Sequence, residues 1–135
     1  MANPLHFLVV EDDQDDVDLL QEALQEYGVS FTTDIIGQGD QVLPHLEKND
    51  ALPDVIILDL NLPRLHGKDV LQLLKASPRL RPIPVVILTT SSAIEEINFC
   101  KRAGAHSFLT KPISMQGFRA ITEAIVVAAT RPLLN

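Results

Sequence analysis

Three short runs, Phe7-Leu8-Val9-Val10, Val55-Ile56-Ile57-Leu58 and Val85-Val86-Ile87-Leu88, are apolar at every position rather than at every second one. A strand with one face in water alternates, so continuous apolarity in a short β-rich run demands cover on both faces, as in a parallel sheet. Two further runs, a weaker one at Phe31–Ile36 and Ser107-Phe108-Leu109, complete a set of five. The stretches between them carry helical spacing. Val17, Leu20, Leu24 and Tyr27 lie three or four apart before Gly28; Val70, Leu73 and Leu74 precede Ser77-Pro78; Ile94, Ile97 and Cys100 precede Gly104; Phe118, Ile121 and Ile125 follow the break at Pro112. This periodicity, closed by glycine or proline, predicts amphipathic helices. Residues 39–48 should form another through Val42, Leu43 and Leu46, with Pro44 expected to kink or weaken it.

Strand and helix therefore alternate five times, which predicts an α/β fold, doubly wound, with a parallel sheet between two helical layers. The chain has 135 residues, and no linker, sequence repeat or low-complexity stretch divides it. Residues 1–135 read as a single domain with no output domain attached. Apolar residues make up 46% and charged residues 21%, an ordinary globular balance. The formal net charge of -7 speaks against nucleic-acid or membrane partners, both of which need a basic face. Cys100 is the single cysteine, so no disulfide framework can form within the chain. Met1-Ala2-Asn3-Pro4 lacks the basic segment of a signal peptide, and no apolar run approaches the roughly 20 residues that span a bilayer. The expected location is the cytoplasm.

Ligands of an open parallel sheet bind beyond the carboxyl ends of its strands. The first strand is followed there by Glu11, Asp12 and Asp13, the third by Asp59, the fourth by Thr89 and Thr90, and the fifth by Lys111-Pro112. Carboxylates brought together repel one another, so the cluster calls for a cation or raised pKa values. Hard oxygen donors on a semi-rigid scaffold suit Mg2+. Such an ion beside a lysine and a hydroxyl is equipment for stabilising a transferring phosphoryl group, with Asp59 as the nucleophile.

Four motifs in order, Val10-Glu11-Asp12, Leu58-Asp59-Leu60-Asn61-Leu62-Pro63 with Gly67, Leu88-Thr89, and Phe108-Leu109-Thr110-Lys111-Pro112, resemble those of a response-regulator receiver domain. The likeness covers essentially the whole chain. It implies a flavodoxin-like (βα)5 fold with strand order 2-1-3-4-5. It implies a phosphoacceptor at Asp59, and a Mg2+ site formed by Glu11 through water, Asp12, Asp59 and the Asn61 backbone carbonyl. Thr89 would bind the phosphoryl oxygen and Lys111 would pair with it, Phe108 would serve with Thr89 as a switch, and Lys111-Pro112 would be cis. The resemblance further implies a sensor histidine kinase as donor and slow self-hydrolysis rather than enzymatic turnover. A downstream protein or a histidine phosphotransfer protein would read the signal, and a homodimer could form through the fourth helix, fifth strand and fifth helix. The wording Leu60-Asn61-Leu62-Pro63-Arg64 and Thr89-Thr90-Ser91 is similar to the small regulators found with bacteriophytochrome kinases. Thr90, Glu11, His66 and Pro44 depart from the commonest pattern of the family without removing a required group.

Several residues also have plainer readings. Asp59 by itself would suit a helix cap, and Phe108 fits core or switch equally. Asp13, Asp15 and Asp16 read as capping or dipole-favouring groups of the first helix, with no chemistry assigned. His6, His45, His66 and His106 are scattered without ligand spacing, and Cys100 reads as packing. Val126, Val127, Ala128 and Ala129 mark either a buried helix end or a self-association face. A phosphohydrolase of the haloacid-dehalogenase type would need an acid two residues after Asp59, where Asn61 stands. A nucleotide-binding module would need a glycine-rich turn in place of Glu11-Asp12-Asp13. A degenerate receiver, binding partners only, would lack some of the site residues present here.

Overall fold

The computed structural model describes residues 4–130. Strands β1 (Leu5–Val10), β2 (Phe31–Ile36), β3 (Val55–Leu58), β4 (Val85–Thr89) and β5 (Ser107–Thr110) alternate with helices α1 (Gln14–Tyr27), α2 (Val42–Lys48), α3 (Gly67–Ala76), α4 (Ile94–Ala103) and α5 (Met115–Thr130). The strands form one parallel sheet in the order β2-β1-β3-β4-β5. This is the doubly wound, flavodoxin-like order expected.

The unbroken apolar strands are explained by two cores, one on each face. Leu8, Val10, Ile56, Leu58, Val85 and Ile87 point into a core closed by Val42 and Leu46 of α2, Val70, Leu71 and Leu74 of α3, and Cys100 of α4. Their neighbours Phe7, Val9, Val55, Ile57, Val86 and Leu88 point the other way, onto Val17, Leu20 and Leu24 of α1 and Phe118 and Ile125 of α5. Successive strand side chains face opposite sides, so every position meets a helix layer. The weaker run at β2 lies at a sheet edge, which is why half of its residues can be polar.

Local signals account for the helix ends. Asp13 is the N-cap of α1, its side chain accepting from the N–H groups of Asp15 and Asp16. Gly28 (φ 89°) and Gly104 (φ 102°) end α1 and α4 in the left-handed region that glycine enters without strain. His66 caps α3 with its ring: Nδ1 accepts the Lys68 N–H at 3.1 Å, the task an Asp or Asn performs at such a position.

Three expectations need correction. Residues 39–48 are not one kinked helix; a 3-10 turn at Gly39–Gln41 precedes α2. Pro44 thus falls in the first turn of α2, where backbone N–H groups have no intrahelical partner, and it breaks nothing. On α3 the inward residue is Leu71, fully buried, whereas Leu73 is 44% exposed. Among the described residues no peptide bond is cis, so Lys111–Pro112 is trans. Trans is the default for X–Pro bonds, and Lys111 reaches the acidic pocket without the turn that a cis bond would supply. The apolar end of α5 divides: Val126 and Ala128 are buried within the chain, and Val127 is half exposed.

Candidate phosphoacceptor and metal site

Register builds the site. Val10 and Leu58 are paired neighbours in β1 and β3, so Glu11 and Asp59 emerge side by side one residue beyond. The Asp59 N–H donates to Val10 O at 3.0 Å, and the Glu11 N–H donates to Ile36 O at 2.9 Å, tying both acids to the sheet edge. Gly67 closes the loop after β3 by donating its N–H to Leu60 O at 2.8 Å. A Cβ at Gly67 would stand 2.3 Å from Asp59 O, so only glycine lets α3 start this close to the acid.

Glu11, Asp12 and Asp59 each offer an oxygen, all within 4.8 Å of one another. Glu11 and Asp59 are buried, and Asp12 is exposed. Lys111 reaches in from the end of β5, its N–H bonded to Thr89 O at 2.7 Å. Its Nζ lies 2.7 Å from Glu11 Oε1, 3.0 Å from Asp59 Oδ2 and 2.8 Å from Asp16 Oδ2. By sequence Asp16 is a capping or dipole-favouring residue of α1; in the fold it also shares the Lys111 ammonium. The signal was present: Asp16, Leu20 and Leu24 are four apart, and Leu20 and Leu24 are buried.

Charge balance in the pocket is lopsided, with one ammonium among four carboxylates. Burial pushes the Glu11 carboxyl up to about 7; Lys111 pulls it down and the charge of Asp59 raises it further. Burial also acts to lower the Lys111 pKa, but its bonds to Asp16, Glu11 and Asp59 outweigh that and hold the ammonium firmly charged. The two directions agree: the lysine stays ionised, and the Glu11 carboxyl holds a proton more tightly than an ordinary carboxyl does. An all-oxygen donor set with excess negative charge fits a hard divalent cation held by Glu11, Asp12 and Asp59.

Thr89 is fully buried at the end of β4, and its Oγ1 finds no hydrogen-bond partner among the described residues. A buried hydroxyl without a partner is an unspent donor. Thr90 beside it is exposed. Asn61 directs its N–H to Asp59 Oδ1 at 3.3 Å. Phe108 is partly buried against the core under α2, α3 and α4.

Residues 7–123 match the family model described as the response regulator receiver domain. The chain belongs to this family. It is 32% identical over 127 residues to the probable methanogenesis regulatory protein FilR2 of Methanothrix harundinacea, covering 91% of this chain and 82% of that one. It is also 32% identical over 127 residues to response regulator Rcp1 of Synechocystis sp., covering 90% and 86%. The solved structure of the phosphorylated cyanobacterial phytochrome response regulator RcpA superposes with a TM-score of 0.88 at 29% identity over 98% of both chains. The Mn2+-bound form of Rcp1 gives 0.85 at 29% identity, over 97% of this chain and 98% of that one. The fold, the acidic cluster and the family together make this chain the receiver of a two-component response regulator. No helix among the described residues is long and apolar enough to cross a membrane.

Proposed function

We propose that this receiver accepts a phosphoryl group on Asp59 from a phosphohistidine of a sensor kinase, in a Mg2+-dependent reaction. The observation that carries the reading is the Asp59 carboxylate, 5% exposed, with Oδ2 held 3.0 Å from the buried Lys111 ammonium inside the acidic cluster. Mg2+ held by Glu11, Asp12 and Asp59, with the Asn61 carbonyl as a further ligand, would offset carboxylate repulsion and neutralise charge on the transferring group. Asp59 supplies the attacking oxygen; the new O–P bond replaces the N–P bond of the donor, whose imidazole leaves. Lys111 is placed to exchange its Asp59 contact for a phosphoryl oxygen. The unpartnered Thr89 hydroxyl donates to another. The acyl phosphate carries up to about -2 where the carboxylate carried -1, so roughly one negative charge is added, and this biases the end of β4 and the α4–β5–α5 face, with Phe108 in it, between two arrangements.

Asn61 stands where a hydrolase would place its general acid, which supports an acceptor with slow self-hydrolysis rather than a turnover enzyme. The likeness to the phytochrome response regulator RcpA supports a bacteriophytochrome kinase as donor; in this reading the receiver acts in the cytoplasm through protein contacts, with a downstream protein, a phosphotransfer protein or a second copy as reader.

Incubation with acetyl phosphate and Mg2+ followed by intact-mass measurement tests this. A phosphoryl adduct is expected, absent in Asp59→Asn and absent with chelator. No adduct on a folded wild-type protein under any of these conditions overturns the reading.

A further inference from the structure

We propose that Glu96 is a positioning residue for the acceptor site, acting through Ser91 on the β4–α4 loop and so on Thr89; this rests on the acceptor reading above. Ala93, the N-cap of α4, provides no side-chain cap. Glu96, in the first turn of α4, is spent outside its own helix: its Oε1 accepts a hydrogen bond from the Ser91 hydroxyl. Ser91 Oγ in turn accepts the Ala93 N–H at 3.4 Å. The other Glu96 oxygen, Oε2, faces Lys68 Nζ at 3.6 Å, and the Glu96 side chain is only 23% exposed. Lys68 Nζ also sits 5.5 Å above the ring of Phe99 on α4.

These contacts form a chain from the start of α3 to the loop after β4. Lys68 follows Gly67, which packs against the backbone of Asp59. Ser91 lies two residues beyond Thr89, whose buried hydroxyl has no partner among the described residues. Phosphoacceptor and switch hydroxyl are thus joined through Gly67, Lys68, Glu96 and Ser91, across α3 and α4. With Ser91 fastened to Glu96, the loop after β4 is held in the arrangement that leaves Thr89 unpartnered. In this proposal the loop shifts when the Thr89 hydroxyl turns onto a phosphoryl oxygen, and that shift gives up the Ser91–Glu96 bond. The pair is a latch that favours the unphosphorylated arrangement, and its removal shifts the population toward the competent one.

The experiment measures adduct formation with acetyl phosphate at saturating Mg2+, together with the half-saturating Mg2+ concentration, in single and double variants. Glu96→Ala and Ser91→Ala are each expected to raise the saturated rate constant severalfold with the Mg2+ half-saturation unchanged. Glu96→Gln keeps an acceptor for Ser91 and should stay near wild type. The double variant Ser91→Ala/Glu96→Ala should be no faster than either single, because both remove one bond. A merely structural role would lower the melting temperature without this split between rate constant and Mg2+ affinity. Rates at or below wild type in both single variants, or fully multiplicative effects in the double, overturn the latch. A wild type that takes no phosphoryl group on Asp59 overturns the acceptor reading and the latch together, whereas labelled wild type with unresponsive variants overturns the latch alone.

Discussion

Lys111 carries one positive charge into a pocket it shares with Glu11, Asp16 and Asp59, and its side chain is 8% exposed. Removing one partner of a buried ionic group leaves the others uncompensated, which is far more damaging than loss of a surface pair. Lys111→Met should therefore cost about 3 kcal/mol of unfolding free energy in the presence of chelator, read by urea denaturation. Glu11 makes the pocket pH-sensitive. Its folded-state pKa, about 7, lies above the ordinary value of 4.5, so the folded chain binds the extra proton between these limits. In chelator, stability is expected to fall as pH rises from 4.5 to 7 and to level above that. Because the ion must displace this proton, Mg2+ affinity should rise over the same window and then flatten, as measured by titration calorimetry, with the slope diminished in Glu11→Gln.

Elements deliver these residues through features that differ in how plainly the sequence shows them. The strand runs were legible because burial on both faces leaves no polar position in them. The choice between Leu71 and Leu73 on α3 was not, because a run of leucines fits either rotation of the helix and only the packing partners select one. The capping role of His66 is not legible in residue order for another reason: its ring nitrogen does a cap's work, which depends on side-chain orientation. The effect of Pro44 depends on where the helix starts, which residue order leaves open. Located in the first turn of α2, it deprives no internal hydrogen bond of its donor. Pro44→Ala should accordingly change unfolding free energy by less than about 0.5 kcal/mol in chemical denaturation, rather than yield the roughly 3 kcal/mol gain expected on relieving an interior helix proline.

Across the whole molecule, two cores fix the sheet rigidly while the acidic groups collect at its carboxyl edge, after β1 and β3 and in the first turn of α1. Such a site stores repulsion in the unliganded state, and an ion that binds only the folded chain stabilises it by mass action. Mg2+ at about a hundred times its dissociation constant should add about 2.7 kcal/mol to the unfolding free energy. The increment is expected to vanish in Asp12→Asn, measured by denaturation with and without the ion. An unchanged increment in that variant would place the stabilising ion elsewhere.

Sequence alone determined the five strand–helix units, the parallel sheet with two helical layers, and the set of acids, hydroxyl and lysine that follow the strands. These are consequences of local periodicity and of the rule that strand ends of an open sheet converge. Tertiary structure decided what depends on distances between segments far apart in the chain. It drew Asp16 into the Lys111 cluster, left the Thr89 hydroxyl without a partner among the described residues, kept Lys111–Pro112 trans, and joined Lys68, Glu96 and Ser91 between α3 and α4. None of these follows from residue order, because each is set by how two layers of helices settle onto a sheet that the sequence had already specified.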